Sequence, residues 1–259
     1  MTIERQDIED LRYAKSLLEG ESFAIKATSI IGKPIEFGLD SLPDGANNLI
    51  STATTKALSV SLKAAVTTMS KKPSTSSWDK LHKLACATTG GAGGFFGLSA
   101  LAIELPCSTT IMLRSIADIA RSEGALITST EIELECVSIF ALGGPSPDDD
   151  AAESGYYAIR AALSEAVTNA ANYIAKEGLK KEGAPIIVKL IAEIASRFSV
   201  QVSQKTVVQA IPVIGAASGA LINTIFIDHF QDKARGHFII RRLERKYSVE
   251  AIREEYKKI

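Results

Sequence analysis

The residues that could do chemistry in this 259-residue chain are few and scattered. Its three histidines, His82, His229 and His237, fall singly on different segments. No pair shows the i, i+4 spacing with a nearby acid that a zinc-binding helix presents, so no metal site is expected. His229 and His237 stand eight apart, close to one helical face, but Gly236 lies between them and ordinary packed histidines are the simpler reading. The cysteines Cys86, Cys107 and Cys136 lack C-x-x-C spacing and basic neighbours that would stabilise a thiolate, and they read as buried, reduced thiols. Gly90-Gly91-Ala92-Gly93-Gly94 is without the Gly-Lys-Ser/Thr ending of a phosphate loop, and no G-x-S-x-G elbow appears. No cofactor and no catalytic residue is expected.

What remains is a set of polar residues bordering uncharged text. Glu104 precedes Pro106, Arg114 and Asp118 stand four apart on one helix, Glu135 adjoins Cys136, and Asn223 lies inside an uncharged stretch. If buried, each needs a partner, because an isolated charge in a low dielectric is costly. These five are expected to form a buried polar network that fixes helix register. The alternative is a functional pocket, with Glu104 and Arg114 its first members.

The elements that would position them are helical. Ile187, Leu190, Ile191, Ile194 and Phe198 follow the stripe of a helix with one buried face, and Lys189, Glu193 and Arg197 form a charged row beside it. Ile8, Leu11, Ala14 and Leu18 mark an opening helix with Gly20 placed to end it. Gly124 follows another helix, Thr128-Ser-Thr-Glu131 reads as a capping box, and that next helix runs to Gly143-Gly144. A long helix spans about 153–176. Leu42-Pro-Asp-Gly45 is turn chemistry, 71–77 is a linker, and Pro-Ser-Pro-Asp-Asp-Asp after Gly144 is an exposed acidic loop. No alternating strand and no internal repeat is evident, so the chain, residues 1–259, is expected to be one compact all-α domain.

Two stretches, 84–103 and 206–227, carry no charged side chain. Each approaches the ~20 residues that cross a hydrocarbon layer. The first holds Gly90, Gly91, Gly93, Gly94 and Gly97, which would loosen a lipid-exposed helix, and the second holds Pro212. Gly90 with Gly94, Gly93 with Gly97 and Gly215 with Gly219 have the spacing that lets backbones approach. Three readings stay open: central core helices, shallow or re-entrant membrane insertion, and spanning helices. Phe95 and Phe96 fit either an interfacial wedge or core packing.

Composition agrees with closely packed helices, at 46% hydrophobic residues with only 6% aromatic. A net charge of -1 argues against a general nucleic-acid binder. From His229 to Ile259, Lys and Arg outnumber Asp and Glu nine to five, which reads as a solvated basic face or, as the alternative, a patch for anionic lipid. Charge in the opening residues excludes an ordinary secretory signal, so a cytoplasmic location is expected.

Several of these landmarks occur in a recognisable order: the Gly-rich run at 90–97, Glu104-Leu-Pro106, Arg114-Ser-Ile-Ala-Asp-Ile-Ala120, Ala210-Ile-Pro-Val-Ile-Gly-Ala216, Asn223 and His237-Phe-Ile-Ile-Arg-Arg-Leu-Glu-Arg245. Together they resemble the EcsC family of bacterial proteins over roughly 80–250. The family is named for a gene neighbour of an ABC-type exporter, and the resemblance implies membrane association and no catalytic residues to transfer. The expected function is therefore that of a non-enzymatic helical protein peripheral to the inner face of the membrane, accessory to a transport or envelope process. Its partner would be a membrane surface or a membrane protein, and its oligomeric state is not legible. Two alternatives stand beside it, a soluble helical interaction module and an enzyme acting on a lipid or other apolar substrate.

Overall fold

The computed structural model of the chain describes residues 3–32, 42–68, 101–127, 129–143, 155–180, 184–210 and 215–259. The Gly90–Gly97 run with Phe95 and Phe96, the 71–77 linker, the acidic loop, His82 and Cys86 lie outside the described residues. Among those described there are nine α-helices and no strand, so the fold is all-α as the periodicity indicates. The helices are α1 (Arg5–Leu18), α2 (Phe23–Ile31), α3 (Ala46–Thr68), α4 (Leu101–Ser122), α5 (Thr130–Ser138), α6 (Gly155–Glu177), α7 (Pro185–Ala210), α8 (Gly215–Lys246) and α9 (Val249–Lys258). Short 3-10 turns at Ile139–Gly143 and Gly178–Lys180 follow α5 and α6.

The helix ends follow local chemistry. Gly124 closes α4 at φ 74°, with its own N–H donating to the Arg121 carbonyl and that of Ala125 to the Ala120 carbonyl. This is a Schellman cap, whose left-handed residue is most easily glycine. The cap of α5 is Ser129, which accepts from the Ile132 N–H at 3.3 Å, while Thr128 of the capping-box reading lies outside the described residues. The helix therefore starts with Thr130 and Glu131 in its first turn.

α8, 32 residues long, is the central strut. Ile222, Phe226, Phe230, Ala234 and Phe238 on it belong to the main apolar cluster, which draws on α2 to α8. At its centre Phe140, Phe198, Phe226 and Phe230 pack with neighbouring centroids 4.8–6.1 Å apart. Burying each such ring contributes about 1.5–3 kcal/mol. Ile239, Ile240 and Leu243 belong instead to a second cluster with Leu11, Ala14 and Leu18 of α1 and Ile252 and Tyr256 of α9. α1 lies antiparallel on α8, Asp7 pairing with Lys246 and Asp10 with Arg242. Gly236 permits this closeness, since a Cβ there would stand 2.8 Å from the Ala14 carbonyl oxygen. It leaves α8 unbroken.

Three expectations need correction. Cys107 is exposed on the outer face of α4, whereas Cys136 is buried as read. The basic residues after His229 are not simply a solvated or lipid-facing surface, because Lys233, Arg241, Arg242 and Lys246 all bind groups of α1, α5 or α8, and Arg242 also Glu123 just after α4. Arg114 and Asp118 do not pair. Arg114 points to solvent and Asp118 binds Arg121 one turn further on.

Candidate functional site

The five polar residues singled out in the sequence fall into separate places. Glu104 and Asn223 meet: the Asn223 side-chain amide donates to Glu104 Oε1 at 3.1 Å. Between them lies a residue the sequence reading passed over, Lys205, fully buried, whose Nζ is 2.9 Å from the same oxygen. Burial pushes the Glu104 carboxyl up, but the Lys205 charge and the hydrogen bonds from Lys205, Asn223 and Ser108 outweigh it and leave its pKa below the ordinary carboxylate value. Lys205 also stands 5.0 Å from the centroid of the Phe226 ring. The contact joins the start of α4, the end of α7 and the start of α8. A signal for Lys205 existed, because it continues the apolar stripe of α7 seven residues after Phe198, where an unpaired charge would not be tolerated.

Glu135 belongs to a second cluster, at the other end of α8. Its Oε1 receives His237 Nε2 at 3.0 Å and lies 2.7 Å from Arg241 Nε. His237 Nδ1 faces the Tyr156 hydroxyl at 3.0 Å. With a carboxylate on Nε2, the network assigns the Nε2–H tautomer, so Tyr156 donates to Nδ1. Arg160 clasps Glu244 through both terminal nitrogens, at 2.6 and 2.7 Å, and Arg241 reaches Glu244 at 3.1 Å.

The titration behaviour follows from this packing. Burial pushes the Glu135 carboxyl up, yet the hydrogen bond from His237 and the charges of Arg241 and Arg160 bring it down to about 2. Burial holds His237 below its ordinary value, with Arg160 and Arg241 adding to the effect against the pull of Glu135. Burial raises the Tyr156 hydroxyl well above its usual range. Cys136, next to Glu135 in sequence, is raised by burial and by that carboxylate, which leaves an inert thiol.

Beside this cluster α5, α6 and α8 enclose a recess of about 210 Å³. Glu131, Glu135 and Ser138 line it from α5, Arg160, Leu163, Ser164, Val167 and Thr168 from α6, and His237 and Arg241 from α8. Of these, the sequence reading weighed Glu135 and His237 for chemistry and Glu131 only as part of a helix cap. Arg160 and Glu244 meet across 84 positions, a distance that no local pattern encodes.

Neither cluster presents a free base. Both nitrogens of His237 are engaged inside the protein, and Glu104 is held by an ammonium and an amide. No group of His, Cys, Asp and Glu among the described residues could hold a metal ion. Also among the described residues, no helix is long and apolar enough to cross a membrane. Of the stretch 206–227, residues 206–210 end α7 and residues 215–227 start α8.

No curated protein and no solved structure matches the chain. The family model described as the EcsC protein family matches residues 14–243, a span that includes the Glu104, Lys205 and Asn223 contact, every residue of the second cluster except Glu244, and nearly all of α8. The chain belongs to the EcsC family.

Proposed function

We propose that this protein is a non-enzymatic helical accessory of a transport or envelope process that works at a membrane surface, presenting to lipid the end of the bundle where α4 starts and α7 gives way to α8. The observation that carries this is convergence. The charge-free stretch 84–103 leads into α4 and the charge-free stretch 206–227 joins α7 to α8, and both arrive at the buried contact of Glu104, Lys205 and Asn223.

The outer faces near that contact agree. Ile103 on α4 is 79% exposed, more than any other large apolar side chain described, and Leu221 on α8 is 43% exposed. Along α4 the exposed residues run Ile103, Cys107 and then Arg114, so the outer face changes from apolar to charged with distance from the junction. Such a gradient suits an interface where the helix end meets acyl chains and later turns meet water. The ionic cluster at the opposite end of α8 would face away.

Fractionating lysed cells tests the reading. The expected result is a protein that stays in the membrane pellet through high salt and leaves it in carbonate, with Ile103→Glu shifting a substantial share to the supernatant. Complete recovery of the unaltered protein in the supernatant before any wash would overturn it and favour an interaction module that needs no lipid.

A further inference from the structure

We infer that α9 exchanges between two copies of this chain, each copy's α9 seating in the place the other's has left, and that Ser248 is the hinge of the exchange. Only Tyr247 and Ser248 separate α8 from α9, and neither is glycine or proline. Ser248 has φ 142° and ψ 161°, and it is the one non-glycine residue with positive φ among those described. That combination belongs almost wholly to glycine, and in a serine it is strained.

Capping does not require the strain. Ser22 and Ser129 also accept from the N–H three residues on, with φ at -65° and -102° and ψ at 160° and 132°. Ser248 accepts in the same way from Ala251 at 3.2 Å with an ordinary ψ, so φ alone is displaced. Moving it to the -102° of Ser129 turns the chain 116° about the Ser248 N–Cα bond, which swings α9 off its seat and keeps the cap. What the unusual φ secures is the fold-back of α9 along its own α8.

The seat names its occupant. Ile252 and Tyr256 are fully buried in the cluster that holds Leu11, Tyr157 and Ile240. Lys15 donates to the Tyr256 carbonyl at 3.0 Å, and Arg253 stands 5.5 Å from the centroid of the Tyr157 ring. The α9 of a second copy reproduces every one of these contacts. An anionic surface would not, because α9 carries three acids and three bases and so no net charge. Exchange keeps the seat filled and relaxes two hinges per dimer against the cost of association, which is how a short strained connection favours swapping. The seat lies at the end of α8 opposite the Glu104 contact, so the inference does not rest on the membrane reading.

Sedimentation equilibrium of the purified full chain tests it, with chemical cross-linking of an equal mixture of unlabelled and nitrogen-15-labelled chains. A concentration-dependent dimer is expected, in slow exchange with monomer. Ser248→Gly, which removes the strain from the folded-back form, should weaken the dimer by about tenfold or more, while Ser248→Ala, which keeps the strain, should stay within about threefold of the unaltered chain. In the dimer fraction of the mixture, disuccinimidyl glutarate should join Lys15 to Lys257 between light and heavy chains. Monomer alone up to about 0.5 mM, links between Lys15 and Lys257 confined to chains of one mass, or equal dimer strength in Ser248→Gly and Ser248→Ala would overturn the exchange.

Discussion

At the start of α8 one ammonium, Lys205, and one carboxylate, Glu104, face each other with side chains 0% and 7% exposed. At its other end Arg160, Arg241, Glu135 and Glu244 share charge among them, with His237 and Tyr156 hydrogen-bonded into the group, and the two arginines are still 20% and 26% exposed. The first arrangement is sealed and has a single opposite charge for each ion. The second is redundant and reaches water. Removing a partner from a sealed pair leaves a charge with no solvent to turn to, whereas removing one from a redundant cluster leaves neighbours that still compensate.

The largest effect should therefore come from Lys205→Ala, which strands Glu104 and is expected to cost about 3–5 kcal/mol in urea unfolding. The double variant Lys205→Met with Glu104→Leu should recover most of that loss, since an apolar pair of similar size suits the same place. A double variant as unstable as the single one would show that Asn223 and Ser108, not the ion pair, hold this junction.

Arg160→Ala is the matching test at the other end. Glu244 keeps Arg241, so the expected loss is about 1.5–3 kcal/mol, the value of charged hydrogen bonds rather than of a stranded ion. A loss equal to that of Lys205→Ala would erase the contrast between the two ends.

Acid distinguishes the ends further. The folded pKa of His237 lies below its ordinary 6.5, so below that pH the unfolded chain binds a proton that the folded one refuses, and stability falls. Glu135, at about 2 in the fold against 4.5 ordinarily, adds a second loss as pH drops from 4.5 toward 2, and Glu104 contributes in the same direction. Between pH 6.5 and 4.5 the loss from His237 is opposed by Glu123, whose carboxyl burial holds above its ordinary value, so the slope there is the balance of the two. His237→Gln should tilt it toward greater stability in acid, in thermal unfolding measured across that range, and an unaltered slope would mean that another group controls it.

The smallest effect belongs to the surface. Lys189 and Glu193 on α7 stand 3.9 Å apart, with the lysine 68% exposed. Lys189→Ala should change stability by no more than about 0.5 kcal/mol. A larger change would mean that exposed charge on this bundle cannot be set apart from its buried clusters.

The sequence determined what is local. The stripe of Ile187, Leu190, Ile191, Ile194 and Phe198 marked the buried face of α7, and Gly124 marked the end of α4, because helical periodicity and left-handed caps depend only on residues within a turn or two. The polar network was half legible. Glu104, Glu135 and Asn223 were recognisable as residues that must find partners if buried, but their partners were not, and Arg114 with Asp118 shows that the right spacing on a helix does not make a pair.

Only the tertiary structure decided that Lys205 binds Glu104 across 101 positions and that Arg160 binds Glu244 across 84. The reason is geometric. A helix fixes which side chains share its face, but which faces meet, and at what height along a 32-residue strut, depends on how the aromatic core and the close approach at Gly236 seat every helix at once.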